Sequence, residues 1–320
     1  MKRMAVLTSG GDCSGMNATV RAVVRAGMVE GVEVIGIQKG FQGLIDRQYD
    51  ILTTRSVSNV LQRGGTFLQS ARCRAMLTPE GQQLAGENLR RLDAEGLVVI
   101  GGDGSLHGGK ELSRQGIPVI GIPASIDNDI AYTDMALGVD TALNNIVRAV
   151  DNVKDTASSH DRTFVVETMG RNCGYLAVVS AIACGAEHSL IPEQSFNLDE
   201  ICHNLRSRYR EGRSHSIIMV AEGAAKAQDI ADQIKDRIGF ETRVIVLGHY
   251  QRGGSPTVFD RMLGARFGQA AVEALQNSQS GQMLGLACSQ IVLNPIETVL
   301  AAGIRPIDGL LSQLNQRLSI

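Results

Sequence analysis

Short, nearly unbroken apolar runs recur along the first part of the chain, separated by longer stretches in which apolar residues fall three and four apart. Met4-Ala-Val-Leu7, Val32-Glu-Val-Ile-Gly-Ile37, Leu97-Val-Val-Ile100 and Ile117-Pro-Val-Ile-Gly-Ile122 read as buried strands, and each ends in glycine, proline or small polar residues. Between the first two, Val20, Val23, Val24, Gly27 and Met28 repeat at i, i+3, i+4, i+7 and i+8, which predicts one apolar helix face that stops at Gly31. Strand and helix patterns in alternation predict a parallel sheet built from β-α-β units.

The rhythm resumes after a helical stretch from Asp140 to Thr156, with strands expected at Thr163–Thr168, Ser216–Ala221 and Thr242–Leu247 and a short terminal helix over Ile307–Leu318. A second α/β unit is implied. No low-complexity linker and no internal repeat marks the junction, so the break is placed near residue 138, with crossing segments expected between the halves. At 320 residues the chain suits two domains of roughly 100–200 residues each.

Composition narrows the function classes. A net charge of −2 provides no global field for nucleic acid or an acidic membrane, so anion binding must come from local arginines. The Lys2-Arg3 pair is followed by an apolar run that ends at Leu7, too short for an export signal, and no run approaches the ~18 apolar residues of a membrane span. Cys13, Cys73, Cys173, Cys184, Cys202 and Cys288 include no Cys-x-x-Cys pair, which argues against structural zinc and for reduced thiols. A cytoplasmic protein is expected.

Ligands of parallel α/β sheets bind beyond the carboxyl ends of the strands, which directs attention to the residues after each run. After the first comes Gly10-Gly11-Asp12-Cys13-Ser14-Gly15-Met16-Asn17, whose glycines let backbone N–H groups approach a phosphate at a helix start. Met16-Asn17 stands where a Walker loop has Lys-Ser/Thr, so that loop is rejected, and a plain tight turn is an equal reading. After the Leu97 run, Gly101-Gly102-Asp103-Gly104-Ser105 leaves room for a triphosphate; Asp103 offers a hard oxygen to Mg²⁺ and Ser105 a helix cap, while a β-turn with an Asx bond is the alternative. After the Ile117 run, Ser125-Ile-Asp127-Asn-Asp129 puts both carboxylates on one side of an extended segment, as a base and a metal ligand or as a solvated acidic turn. Arg162, Met169-Gly170-Arg171, Arg243 and His249-Tyr-Gln-Arg252 add guanidinium forks suited to a sugar phosphate, and Glu222 an acceptor for sugar hydroxyls. Singly, each arginine is more often a surface residue than a ligand, and for Glu222 a loop salt bridge is the alternative.

In combination, Gly-Gly-Asp-Gly-Ser at 101–105, Ile-Asp-Asn-Asp at 126–129, Met-Gly-Arg at 169–171 and Gly-His-x-Gln-Arg-Gly-Gly-x-Pro at 248–256 resemble the motifs of bacterial ATP-dependent 6-phosphofructokinases, in order and up to about Leu300. The resemblance implies two similar three-layer α/β/α domains with mainly parallel sheets: residues 1–138 plus 256–304 for ATP, and 139–255 plus 305–320 for fructose 6-phosphate. It implies Asp127 as the base, with Ser125, Arg171 and Arg72 stabilising the transferring phosphoryl group. ATP would lie against Gly11, Arg72, Cys73, Gly102, Asp103, Gly104, Ser105 and Gly108, and Asp103 and Asp129 would serve magnesium. Sugar binding would use Ser125, Asp127, Met169, Gly170, Arg171, Glu222, His249 and Arg252, with Arg162 and Arg243 from a neighbouring subunit, hence a homo-oligomer, in bacterial relatives a tetramer.

An ADP or phosphoenolpyruvate effector would meet Arg21, Arg25, Ser58, Lys154, Gly185, Glu187, Arg213 and His215. Departures from the pattern are Ser125 for Thr; Phe41, Cys73 and Leu77 around the adenosine; Thr54 and Glu211 for effector-site arginines; and Lys154 for another. A lipid or NAD kinase shares only the Gly-Gly-Asp-Gly turn, and a non-catalytic regulatory paralogue would have lost Asp127, Asp103 or Arg171, all of which are present.

Overall fold

The computed structural model describes residues 1–160, 162–212, 215–239 and 241–318, with the side chains of 158–160 and 316 left aside. In chain order the elements are β1 (Arg3–Ser9), α1 (Met16–Val29), β2 (Glu33–Ile37), α2 (Gly40–Ile45), β3 (Tyr49–Leu52), α3 (Pro79–Arg91), β4 (Leu97–Gly101), α4 (Asp103–Arg114), β5 (Val119–Pro123) and α5 (Val139–His160). There follow β6 (Thr163–Thr168), α6 (Tyr175–Cys184), β7 (His188–Leu190), α7 (Leu198–Arg210), β8 (Ser216–Ala221), α8 (Ala227–Ile238), β9 (Thr242–Val246), α9 (Val258–Gln276), β10 (Gln282–Ala287), β11 (Gln290–Pro295), α10 (Ile296–Ala302) and α11 (Gly309–Leu318). The chain divides into two compact units, one of Met1–Ile126, Ile130–Thr141 and Arg252–Gly303, the other of Asp127–Asp129, Ala142–Gln251 and Ile304–Ile320.

In the first unit the apolar runs of β1, β4 and β5 pair in parallel at the centre of a seven-stranded sheet of order β11-β10-β5-β4-β1-β2-β3. Alternate residues of these strands face opposite layers. Ala5, Leu7, Leu97, Val99 and Val119 pack with Phe41, Leu89, Leu106 and Leu112 from α2, α3 and α4. On the other face, Met4 and Val34 meet Gly27 of α1 so closely that a Cβ there would lie 2.6 Å from the Met4 Cε. Val20, Val23 and Val24 are buried as the helix pattern requires, but Met28, expected on that face, is 43% exposed because α1 is ending there. Gly31 takes the left-handed conformation (φ 70°) that closes the helix. Antiparallel β3 and β11 blunt the two edges.

The second unit holds a wholly parallel four-stranded sheet, β7-β8-β6-β9. Val165, Ile218 and Val220 pack with Ile201 and Leu205 of α7 and Ile230 and Ile234 of α8. Among the described residues no helix is long and apolar enough to cross a membrane.

Candidate active site

Strand register assembles the phosphate-loop candidates of the first unit. Ser9 pairs with Gly101 and Gly101 with Pro123, so the Gly10-Gly11, Gly102-Asp103 and Ala124-Ser125 segments leave one sheet edge side by side. The approach is tight: a Cβ on Gly101 would lie 2.4 Å from both the Ser105 Oγ and the Ser9 carbonyl oxygen, so only glycine fits. By contrast, nothing lies within 4 Å of where a Gly104 Cβ would be.

Asp103 opens α4 with a carboxylate 65% exposed, and the His107 Nε2 stands 3.7 Å from its Oδ2. Ser105, expected to cap this helix, lies inside its first turn instead; the extended Gly102 (ψ −167°) is the cap, because the turn after β4 is too short to delay the helix. Arg72 and Cys73 come from a loop anchored to the same edge: the Ser70 hydroxyl donates to the Gly10 carbonyl (2.6 Å) and Thr8 Oγ1 to the Gln69 carbonyl (3.0 Å). Gly108 packs against the Phe41 ring, and Cys73 against the core beneath it.

Arg252 falls in the first unit. Its Nη1 donates to the Asp12 carbonyl (3.1 Å) and occupies the space a Gly11 side chain would need. Beside this edge Asp260 is fully buried near the start of α9, accepting from Gly138 N (2.8 Å), Thr141 N (2.9 Å) and Thr141 Oγ1 (2.5 Å). Burial pushes its carboxyl up to about 6 against the pull of these hydrogen bonds. The Cys13 thiol is also raised, by burial first and then by Asp260, and stays an inert thiol.

The Asp127–Asp129 segment belongs to the second unit and is not extended. Asn128, buried, adopts φ 51°, a left-handed turn that asparagine tolerates, and Asp127 and Asp129 are both half-buried on either side of it. A turn rather than strand alternation therefore places the two aspartates on either side of Asn128. Arg305 N donates to the Asp129 carbonyl (2.9 Å). Burial, with smaller repulsions from Glu193, Asp129 and Asp127, pushes the Cys173 thiol up to about 12 and excludes it as a nucleophile at neutral pH.

At the carboxyl ends of β6, β8 and β9 the structure gathers Met169, Gly170, Arg171, Glu222 and His249. Glu222 N donates to the Thr168 carbonyl (2.9 Å) and Gly223 N to the Gly170 carbonyl (3.2 Å). A Cβ on Gly223 would lie 1.9 Å from the Arg171 carbonyl oxygen, so two loops are locked face to face. Gln251, 1% exposed, ties in the third: its Oε1 accepts from Met169 N (3.2 Å) and its Nε2 donates to the Gly248 carbonyl (3.0 Å). Gln251 was not singled out in the sequence, though its place between His249 and Arg252 was the signal available. Arg162 and Arg243 are not in this group. They flank the amino ends of β6 and β9, where both pair with Glu241, a residue the motifs passed over.

Of the effector candidates, Arg21 and Arg25 lie one turn apart on α1, and burial together with the Arg25 charge lowers Arg21. The Ser58 hydroxyl donates to the Thr54 carbonyl (3.0 Å). In the second unit Lys154 Nζ donates to the Cys184 carbonyl, just before Gly185, and Glu187 accepts from Ile217 N (2.6 Å) and pairs with Arg208 (3.1 Å). His215 precedes β8; Arg213 lies outside the described residues.

The phosphofructokinase family pattern matches residues 3–275. The chain is 48% identical over 320 residues to an ATP-dependent 6-phosphofructokinase of Natranaerobius thermophilus, covering all of both chains. It is 50% identical over 292 residues to that of Clostridium tetani, covering 91% of this chain and 92% of the relative. Among solved structures, phosphofructokinase from Saccharomyces cerevisiae superposes with a TM-score of 0.88 at 33% identity over all of this chain, which spans 48% of the yeast chain. With the family pattern matching residues 3–275 and a relative 48% identical over all of both chains, the chain belongs to the phosphofructokinase family.

Proposed function

We propose that the protein transfers the γ-phosphoryl group of ATP to the 1-hydroxyl of fructose 6-phosphate, yielding ADP and fructose 1,6-bisphosphate, the committed step of glycolysis in the cytoplasm. The observation that carries this reading is the register of β1, β4 and β5, which sets three glycine- and aspartate-bearing turns at one sheet edge in a chain whose full-length relatives are ATP-dependent 6-phosphofructokinases.

Asp127 takes the proton from the 1-hydroxyl as its oxygen bonds to the γ-phosphorus and the bridging oxygen departs with ADP. Ser125, Arg171 and Arg72 donate hydrogen bonds to the charge developing on the transferred group. Gly11, Gly102, Gly104, Ser105 and Gly108 lie against the nucleotide, with open space at Gly104 and Cys73 alongside. Asp103, and less directly Asp129, would hold Mg²⁺. Asp103 offers the exposed carboxylate oxygen that such an ion takes beside waters and phosphate oxygens. When bound, the ion neutralises phosphate charge.

Met169, Gly170, Arg171, Glu222, His249 and Arg252 hold the sugar phosphate, and Arg162 and Arg243 reach it from a second copy of the chain. The separation along β6 supports that last assignment: its six residues span about 20 Å between Arg162 and the Met169 loop. A homo-oligomer, a tetramer in this reading, completes the site. An ADP or phosphoenolpyruvate effector binds through Arg21, Arg25, Ser58, Lys154, Gly185, Glu187, Arg213 and His215, its selectivity altered by Thr54 and Glu211.

ATP rather than pyrophosphate is the donor: the resemblance implies aspartate and lysine in pyrophosphate-dependent relatives where this chain has Gly104, with open space beside it, and Ala124. A coupled assay with fructose 6-phosphate and either donor tests the whole reading. Turnover with ATP is expected to exceed that with pyrophosphate, and equal or greater turnover with pyrophosphate overturns the assignment.

A further inference from the structure

At the amino ends of β6 and β9 the strand ladder fixes the backbone, and two long side chains converge on one carboxylate. Glu241 accepts at its carbonyl from Thr163 N (3.0 Å), Ser216 N donates to the Arg162 carbonyl (3.3 Å), and Phe164 pairs with Arg243 in the parallel ladder. Arg162 and Arg243 are 25% and 55% exposed, and each has several rotatable bonds. Between them stands one carboxylate. Glu241 and Arg243 are two apart in extended chain and so share a face, while Arg162 meets Glu241 from the neighbouring strand.

We propose that Glu241 is a positioning residue for the substrate phosphate: one of its oxygens engages Arg162 and the other Arg243, holding the two guanidiniums as a single fork. The proposal rests on the reading above that these arginines bind the phosphate of fructose 6-phosphate. The Arg162 contact runs through Nε at 2.5 Å and the Arg243 contact through Nη2 to the other carboxylate oxygen. Arg162 thus keeps both terminal nitrogens, and Arg243 its Nη1 and Nε, for an incoming anion. The carboxylate need not be displaced when phosphate binds. Both guanidiniums in turn hold Glu241 below its usual carboxylate range, Arg162 first.

Two opposing effects decide the sign of a substitution. Removing the negative charge favours a nearby phosphate by about two-fold at physiological salt, since the site is exposed and screened. Releasing two arginines costs more, about five-fold or above, because each must then be ordered on binding. Positioning therefore wins.

The test uses the full-length enzyme with Glu241→Ala and Glu241→Gln, alongside Arg162→Ala and Arg243→Ala. Both Glu241 variants are expected to raise KM for fructose 6-phosphate at least five-fold, to leave kcat and KM for ATP within two-fold, and to weaken the rise in Tm that fructose 6-phosphate alone produces. The ligand-free Tm is expected to hold, because exposed ion pairs add little stability. Unchanged or lowered KM in both Glu241 variants, while the arginine variants lose affinity, overturns the proposal. If the arginine variants also keep their affinity, the assignment of the arginines is what fails, and the proposal falls with it.

Discussion

Asp127 sits beside a left-handed, buried asparagine, and that local geometry fixes what its removal should do. The segment is held by Asn128 and by the Arg305–Asp129 backbone bond, neither of which involves the Asp127 carboxylate. Asp127→Ser removes the proton acceptor and leaves both of these features in the chain. Turnover is expected to fall about 100-fold or more with KM for fructose 6-phosphate nearly unchanged, because a general base acts mainly in the transition state. Steady-state kinetics decide it: retained turnover removes Asp127 from the role. Single residues were legible where backbone demand alone decides, as at Gly101, where a Cβ would meet the Ser105 Oγ and the Ser9 carbonyl oxygen. Glu241 was not legible. A glutamate near an arginine is ordinary in sequence, and only the pairing of β6 with β9 brings it to Arg162. Nor did alternation foresee the turn at Asn128, since identical side-chain exposure arises from an extended segment or from a left-handed one.

At the scale of elements, the central parallel strands were readable because burial on both faces leaves an unbroken apolar run, as in Leu97–Gly101, where every residue is buried. Edge strands carry no such mark: Tyr49–Leu52 buries only its last residue, and β7 and β11 are mostly half-exposed, so nothing in their composition separates them from loops. The long helix α9 escaped for another reason. It packs along α1 through Gly264 and Gly268, which interrupt the apolar stripe formed by the buried Leu263, Phe267, Val272 and Leu275. A Cβ on Gly268 would lie 2.5 Å from the Ala22 Cβ and 2.8 Å from the Thr19 carbonyl oxygen, and one on Gly264 2.7 Å from the Thr19 Oγ1. Alanine in a helix is worth about 1 kcal/mol over glycine, but overpacking against backbone costs about 1–3 kcal/mol, so Gly268→Ala should destabilise on balance. Urea denaturation is expected to show a lowered midpoint at unchanged slope; a raised midpoint would mean that the helices can separate freely.

For the whole molecule, alternating strand and helix patterns announced two α/β units, while the return of residues 252–303 to the first unit is written in no local pattern and depends on long-range packing. The two units also bury titratable groups of opposite sense. In the first, burial raises Asp260 from 3.8 to about 6; in the second, burial and then the Arg208 charge lower His188 from 6.5 to about 4. At Asp260 the folded chain holds more proton than the unfolded chain between pH 3.8 and 6, so this group favours folding below its unfolded pKa and that advantage is lost as pH rises through about 6. At His188 the folded chain holds less proton than the unfolded chain between pH 4 and 6.5, so its contribution is present above 6.5 and lost as pH falls through about 4. Each amounts to about 3 kcal/mol at full extent, and they nearly cancel in any measurement that averages the molecule. Single substitutions should expose them. Relative to wild type, Asp260→Asn should gain stability as pH rises from 4 to 7, and His188→Gln should lose it over the same range, each read from urea midpoints at fixed ionic strength. Acidification should also loosen the second unit first, so that limited proteolysis near pH 4.5 cuts between residues 142 and 251 before cutting β1 to β5. Parallel pH profiles for wild type and both variants, or first cuts in the glycine-rich turns of the seven-stranded sheet, would show that these two buried groups do not set the acid response.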